Sequence, residues 1–214
     1  MKRVRTKPVK RKRVGILIFP DVEVLDFCGP FEVFTVTRLD EERRREEPSP
    51  FEVILVAEQD VAIQATGGLR VIPNCTLHDC PRLDILVVPG GWGTRKQMEN
   101  ERLISWITER GRQVETLTSV CTGSMLLGRA KLLDHHQATT HWRSLDWMRK
   151  TFPDILVEDK LHVVEDGSVL TSAGISAGID MALRVVSRYY GEEIGRATAR
   201  HMEYPFPIDN SRRI

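Results

Sequence analysis

Ile85-Leu86-Val87-Val88 is a run of four apolar residues that passes directly into Pro89-Gly90-Gly91. A strand with no polar face suits the middle of a sheet that is covered on both sides, and such sheets are parallel. The pattern recurs along the chain. Val14 to Phe19 is a first strand ended by Pro20, and Phe51 to Ala57 is a second. Between them, Gly29-Pro30 followed by Phe31, Phe34 and Val36 predicts a helix with Pro30 in its first turn, where a missing N–H costs nothing. Residues 40–50 are a charged, Pro-ended surface loop, and Val61 to Ile72 are extended segments broken at Gly67-Gly68. Met98, Leu103, Ile104 and Ile107 mark a helix, Val114 to Thr118 a strand, and Thr122 to Arg129 a helix. Residues 161–172 read as a hairpin turning at Asp166-Gly167. Ile175, Ile179, Leu183, Val186 and Tyr190 form an amphipathic stripe stopped by Gly191, and a last helix runs from about Glu192 to Met202. Strands alternating with helices predict a single α/β domain, a sandwich around a mostly parallel sheet.

Charge divides the chain. Residues 1–13 carry eight Lys and Arg and no acid, so the rest of the chain has a net charge of −7 within an overall +1. A basic arm over 1–13, a domain over 14–204 and a tail over 205–214 are therefore expected. The arm is read as a solvated, flexible leader rather than a nucleic-acid tail, because no binding motif accompanies it. The longest apolar runs are far short of a membrane span, and the basic start lacks the apolar stretch of a secretory leader. Four cysteines in 214 residues make no disulfide scaffold, which with the lack of a leader points to the cytoplasm. Cys75, His78 and Cys80 lie close together but lack the further ligands of a zinc site, so no metal is expected.

In sheets of this class, ligands bind at the carboxyl ends of the strands, which selects three junctions. Cys121 stands at a strand-to-helix turn before Thr122-Gly123-Ser124, where helix amides would favour the thiolate, the nucleophilic form; alternatively it is a small buried hydrophobe. Asp26, an acid among Leu25, Phe27 and Cys28, is either a desolvated proton donor or a helix N-cap. Gly90-Gly91 could offer amides to a developing anion, or simply turn the chain. His141, beside Trp142, could act as a base or orienting partner, or pack structurally. Asp180, polar on an apolar helix face, reads as a buried structural contact, and His135-His136 as a surface turn.

These segments together resemble the ThiJ/PfpI superfamily, a flavodoxin-like branch of the class I glutamine amidotransferase fold. The resemblance runs from Val14 to about Tyr204 and is carried by Leu25-Asp26-Phe27-Cys28-Gly29-Pro30, Val88-Pro89-Gly90-Gly91, Ser119-Val120-Cys121-Thr122-Gly123-Ser124, Ala138-Thr139-Thr140-His141-Trp142 and Ser176-Ala177-Gly178-Ile179-Asp180. It implies a three-layer sandwich, a homodimer, and a small-molecule substrate handled without metal or organic cofactor. Within the superfamily the residues are most similar to the isonitrile-hydrating branch. That likeness makes Cys121 the nucleophile, Asp26 the acid/base and Thr122 a supporting hydroxyl, in the conversion of an isonitrile to an N-substituted formamide. The superfamily also holds glyoxalase- and deglycase-type enzymes acting on small aldehydes. The Cys-Thr-Gly and Ala-Thr-Thr-His-Trp motifs are shared with ligand-sensing domains of transcription regulators, and the residues after 204 are too few for the helix-turn-helix domain those carry. A non-enzymatic sensor with an oxidisable cysteine is therefore the third expectation. Cys28, beside the acid, is a departure from the pattern, as are the 40–50 loop and the basic arm.

Overall fold

The computed structural model describes residues 10–213. Its strands and helices run in the order β1 (Lys12–Leu17), α1 (Val24–Val36), β2 (Phe51–Ala57), β3 (Ile63–Gln64), β4 (Arg70–Val71), β5 (Cys75–Thr76), β6 (Ile85–Val88), α2 (Thr94–Gln97), α3 (Glu101–Gln113), β7 (Thr116–Val120), α4 (Gly123–Arg129), β8 (Gln137–Ala138), α5 (Leu145–Thr151), β9 (Leu156–Val157), β10 (Val163–Asp166), β11 (Val169–Ser172), α6 (Ala177–Tyr190) and α7 (Glu192–His201). Seven strands form the main sheet in the order β10-β11-β7-β6-β1-β2-β5. All its pairings are parallel except β10 with β11, the hairpin expected around Asp166-Gly167. β6, wholly buried, lies in the centre between β1 and β7. The extended segments expected at 61–72 are β3 and β4, which pair with each other antiparallel, and β8 pairs with β9 in a small separate ladder.

The chain leaves β1 for β2 on one side and β6 for β7 on the other. Right-handed crossovers then put their connecting helices on opposite faces. α1, α6 and α7 pack together in one layer, and α2 and α3 pack on α4 in the other. The reversal between β1 and β6 is the switch point at which an open α/β sheet forms a crevice. No helix among the described residues is long and apolar enough to cross a membrane.

Several boundaries differ from the sequence expectation, each for a local reason. β1 starts at Lys12 rather than Val14, because Lys12 N–H donates to Pro50 O (2.8 Å) and Lys12 pairs with Phe51. Two residues assigned to the basic arm thus belong to the sheet, while residues 1–9 lie outside the described residues. Pro30 is inside α1, not at its start. The helix begins at Val24, and Pro30 supplies no N–H to the carbonyl of Asp26 one turn earlier. β7 is displaced two residues onward because Val114 closes α3, its N–H donating to Arg110 O (3.1 Å). The residues after 204 are not a free tail: His162 N–H donates to Asn210 O (2.7 Å), Arg212 N–H to Lys160 O (2.7 Å), and Arg213 pairs with buried Asp180 at 2.8 Å.

α4 seats directly on the end of β6. A Cβ at Gly123 would run into the Val88 carbonyl oxygen, and backbone cannot move aside as a side chain can. Gly123→Ala is expected to lower unfolding free energy by about 3 kcal/mol, measured as a reduced urea midpoint; an unchanged midpoint would mean that α4 is not held against β6 here.

Candidate active site

Cys121 follows the last residue of β7 and adopts φ +57°, a left-handed conformation uncommon for any residue but glycine. Four hydrogen bonds hold it there. Its N–H is shared between Ser172 O (3.2 Å) and Ala173 O (3.3 Å), and its carbonyl accepts from Ser124 Oγ (3.1 Å) and Thr140 Oγ1 (3.0 Å). The sharp turn raises the side chain above the sheet, yet the residue is only 6% exposed. A Cβ on Gly174 would stand 2.7 Å from the Cys121 sulfur and 2.8 Å from His141 Cδ2, so sulfur and imidazole face the same point.

Asp26 comes from the first turn of α1 and is completely buried. It does not cap the helix; Glu23 occupies that position without a side-chain bond. Asp26 Oδ2 accepts from Gly90 N–H (3.0 Å), while Oδ1 has no partner among the described residues. Burial pushes its carboxyl well above the ordinary carboxylate range, and the Gly90 N–H only partly opposes this. The Cys121 thiol is also pushed well up, first by burial and then by the Asp26 charge, against the Thr122 amide and hydroxyl. The sequence expectation of a readily formed thiolate is therefore corrected: depth of burial outweighs the helix amides. The two groups titrate as a pair. With the proton on Asp26, the charge that opposes thiolate formation disappears.

Gly90 and Gly91 divide their amides between the acid and the hydroxyl. Gly90 N–H serves Asp26, and Gly91 N–H donates to Thr122 Oγ1 (3.0 Å), which also lies 2.9 Å from Thr94 Oγ1. Both amides are engaged, so they hold Asp26 and Thr122 in place instead of standing free as anion donors. Thr122→Val would leave the half-buried Gly91 N–H and the buried Thr94 hydroxyl without this partner. Its expected cost is about 2 kcal/mol of stability, with Thr122→Ser close to wild type; equal unfolding midpoints for all three would remove the hydroxyl from this clamp.

His141 Nδ1 accepts from Arg143 N–H (3.3 Å), which leaves the neutral ring's proton on Nε2 as a donor. Burial and the nearby Arg143 and Arg212 hold its pKa below the usual value, so the ring stays neutral near pH 7. Asp180 is the buried structural contact expected, accepting from Tyr204 Oη (2.8 Å).

Cys121, Thr122, Gly91 and His141 open onto one cavity of about 420 Å³. Its other lining includes Glu23, Trp92, Arg95, Trp142, Arg143 and Ile175. Sequence reasoning missed Glu23, Trp92 and Arg95 as site residues. The available signal was position: Glu23 lies one turn before Asp26, and Trp92 directly follows the glycine pair.

Comparison with known proteins agrees with this architecture. The model of the DJ-1/PfpI family matches residues 12–188. The chain is 37% identical over 192 residues to isonitrile hydratase of Pseudomonas putida, covering 90% of this chain and 78% of that protein. It is 32% identical over 142 residues to the HTH-type transcriptional regulator GbdR of Pseudomonas aeruginosa, covering 66% of this chain and 38% of the regulator. Among solved structures, a ThiJ/PfpI family protein from Pseudomonas syringae superposes with a TM-score of 0.80 at 28% identity, over 97% of this chain and 81% of that one. Drosophila melanogaster DJ-1beta, at 17% identity, shares the fold with a TM-score of 0.75 over 92% of this chain and 100% of its own. With residues 12–188 matched by the family model and 90% of its length aligned to a 37% identical relative, the chain belongs to the DJ-1/PfpI family.

Proposed function

We propose that this protein is a cofactor-independent hydratase that converts an isonitrile to an N-substituted formamide through a covalent adduct on Cys121. The observation behind this is the buried Asp26 carboxyl, with one oxygen unpartnered among the described residues and its titration linked to that of the Cys121 thiol. The identity to an isonitrile hydratase supports the substrate class.

The reacting form of the pair carries its proton on Asp26 and its charge on sulfur. The thiolate attacks the terminal carbon of R–N≡C while Asp26 delivers its proton to that carbon, giving the thioimidate R–N=CH–S–Cys121 and an Asp26 carboxylate. The carboxylate then takes a proton from water as the oxygen bonds to the same carbon. The second water proton passes to nitrogen as C=O forms and C–S breaks, which releases R–NH–CHO and restores both groups. One carboxyl acts first as acid and then as base. Its raised pKa keeps it protonated for the first step, and the Gly90 N–H supports the anion it becomes. Thr122 favours the anionic sulfur, and His141 Nε2–H is a donor for the substrate nitrogen as charge collects there. The steps require no metal or organic cofactor. A cytoplasmic homodimer is part of the same proposal, checked by light scattering of the purified chain.

Reduced protein is expected to turn cyclohexyl isocyanide over to its formamide, with methylglyoxal as the parallel substrate. Conversion of methylglyoxal alone would transfer the site to the glyoxalase class. The likeness to a transcription regulator favours one other reading, a ligand sensor; folded, reduced protein that turns over neither compound would support it.

A further inference from the structure

We infer that the cavity accepts a substrate bearing a carboxylate next to an apolar group, and that Arg95 and Arg143 bind this carboxylate. The isonitrile end of such a substrate rests on the hydratase reading above; the carboxylate end rests on the mouth of the cavity. Trp92 and Trp142 are 70% and 46% exposed there, an unusual display of indole. Each carries a guanidinium on its face: Arg95 is 5.7 Å from the Trp92 ring and 4.8 Å from Trp147, and Arg143 is 4.8 Å from Trp142. Stacking fixes the guanidinium plane and leaves its N–H edge open to a carboxylate, which that edge grips with two parallel bonds.

Neither side chain makes an ion pair or hydrogen bond among the described residues, so no acid of the chain occupies either guanidinium edge. Glu23 is the one acid among the residues lining the cavity, so two cations face one carboxylate at its mouth. This stands out on a chain that is net acidic beyond its first 13 residues. Indole walls, cationic edges and about 420 Å³ of space together fit an isonitrile made from an amino acid, with N-formyl amino acid as product.

The test compares the isonitrile made from leucine, as free carboxylate and as methyl ester, with wild type and the Arg95→Gln/Arg143→Gln double variant. Fluorescence titration with N-formyl-leucine and its methyl ester runs alongside, read from the mouth tryptophans. We expect kcat/KM and affinity to favour the carboxylate by about tenfold, the preference to shrink with added salt, and the ratio to approach one in the double variant. Equal handling of acid and ester by wild type overturns the inference, as does a preference that survives both substitutions. Should neither isonitrile be turned over, the hydratase reading falls, and the N-formyl-leucine titration still decides the carboxylate site.

Discussion

Cys121→Ala is expected to reduce isonitrile hydration by at least about a thousandfold, since losing a nucleophile removes the reaction path and not one of several contributions to it. The fold should survive. Alanine keeps the backbone bonds that hold position 121, because those with Ser172, Ala173, Ser124 and Thr140 all use its N–H or carbonyl and not its side chain. Circular dichroism should therefore match wild type while formamide production stops. A variant retaining wild-type rates would reduce Cys121 to a small buried side chain at a strained turn.

Asp26→Asn separates two consequences of the same carboxyl. Asparagine can still accept from Gly90 N–H through its side-chain oxygen, so the local structure is kept, but it neither delivers nor removes a proton. Hydration is expected to fall at least about a hundredfold. Thiol alkylation should persist, because burial, the larger cause of the raised Cys121 thiol pKa, is unchanged and a neutral amide stands where the reacting pair has a protonated carboxyl. Stability should move in the opposite direction from activity. The native carboxyl binds its proton more tightly than the unfolded one, so as pH rises above about 4 the unfolded state loses its proton first and wild type loses stability until the raised native pKa is passed. The variant has no such loss. It should match wild type near pH 4 and unfold at a higher temperature at pH 7. A variant less stable at pH 7 than at pH 4, by the same margin as wild type, would contradict the buried carboxyl as its cause.

The elements legible in the sequence were those whose residues settle the matter locally. Ile85–Val88 can only be a central strand, and Phe51–Ala57 is bounded by Pro50 on one side and a polar segment on the other. Cys121 was legible because a strand pattern and a helix pattern meet there. What stayed hidden depends on distant partners. The amides of Gly90 and Gly91 are taken by residues 64 and 31 positions away, so nothing nearby marks them as unavailable. The thiol's raised pKa comes from its depth in the fold and from a carboxylate on another element. Pro30 misled because a helix start is its commonest helical position, while here α1 had already begun at Val24. Trp92 and Arg95 carry no motif; only the crevice between β1 and β6 gives them a common use.

The most direct measurement is acid-quenched mass spectrometry of the enzyme during turnover of cyclohexyl isocyanide. The peptide containing Cys121 should gain the mass of one isonitrile at early quench times and lose it as substrate runs out. Formamide accumulating while that peptide stays unmodified at every quench time would contradict covalent catalysis at Cys121.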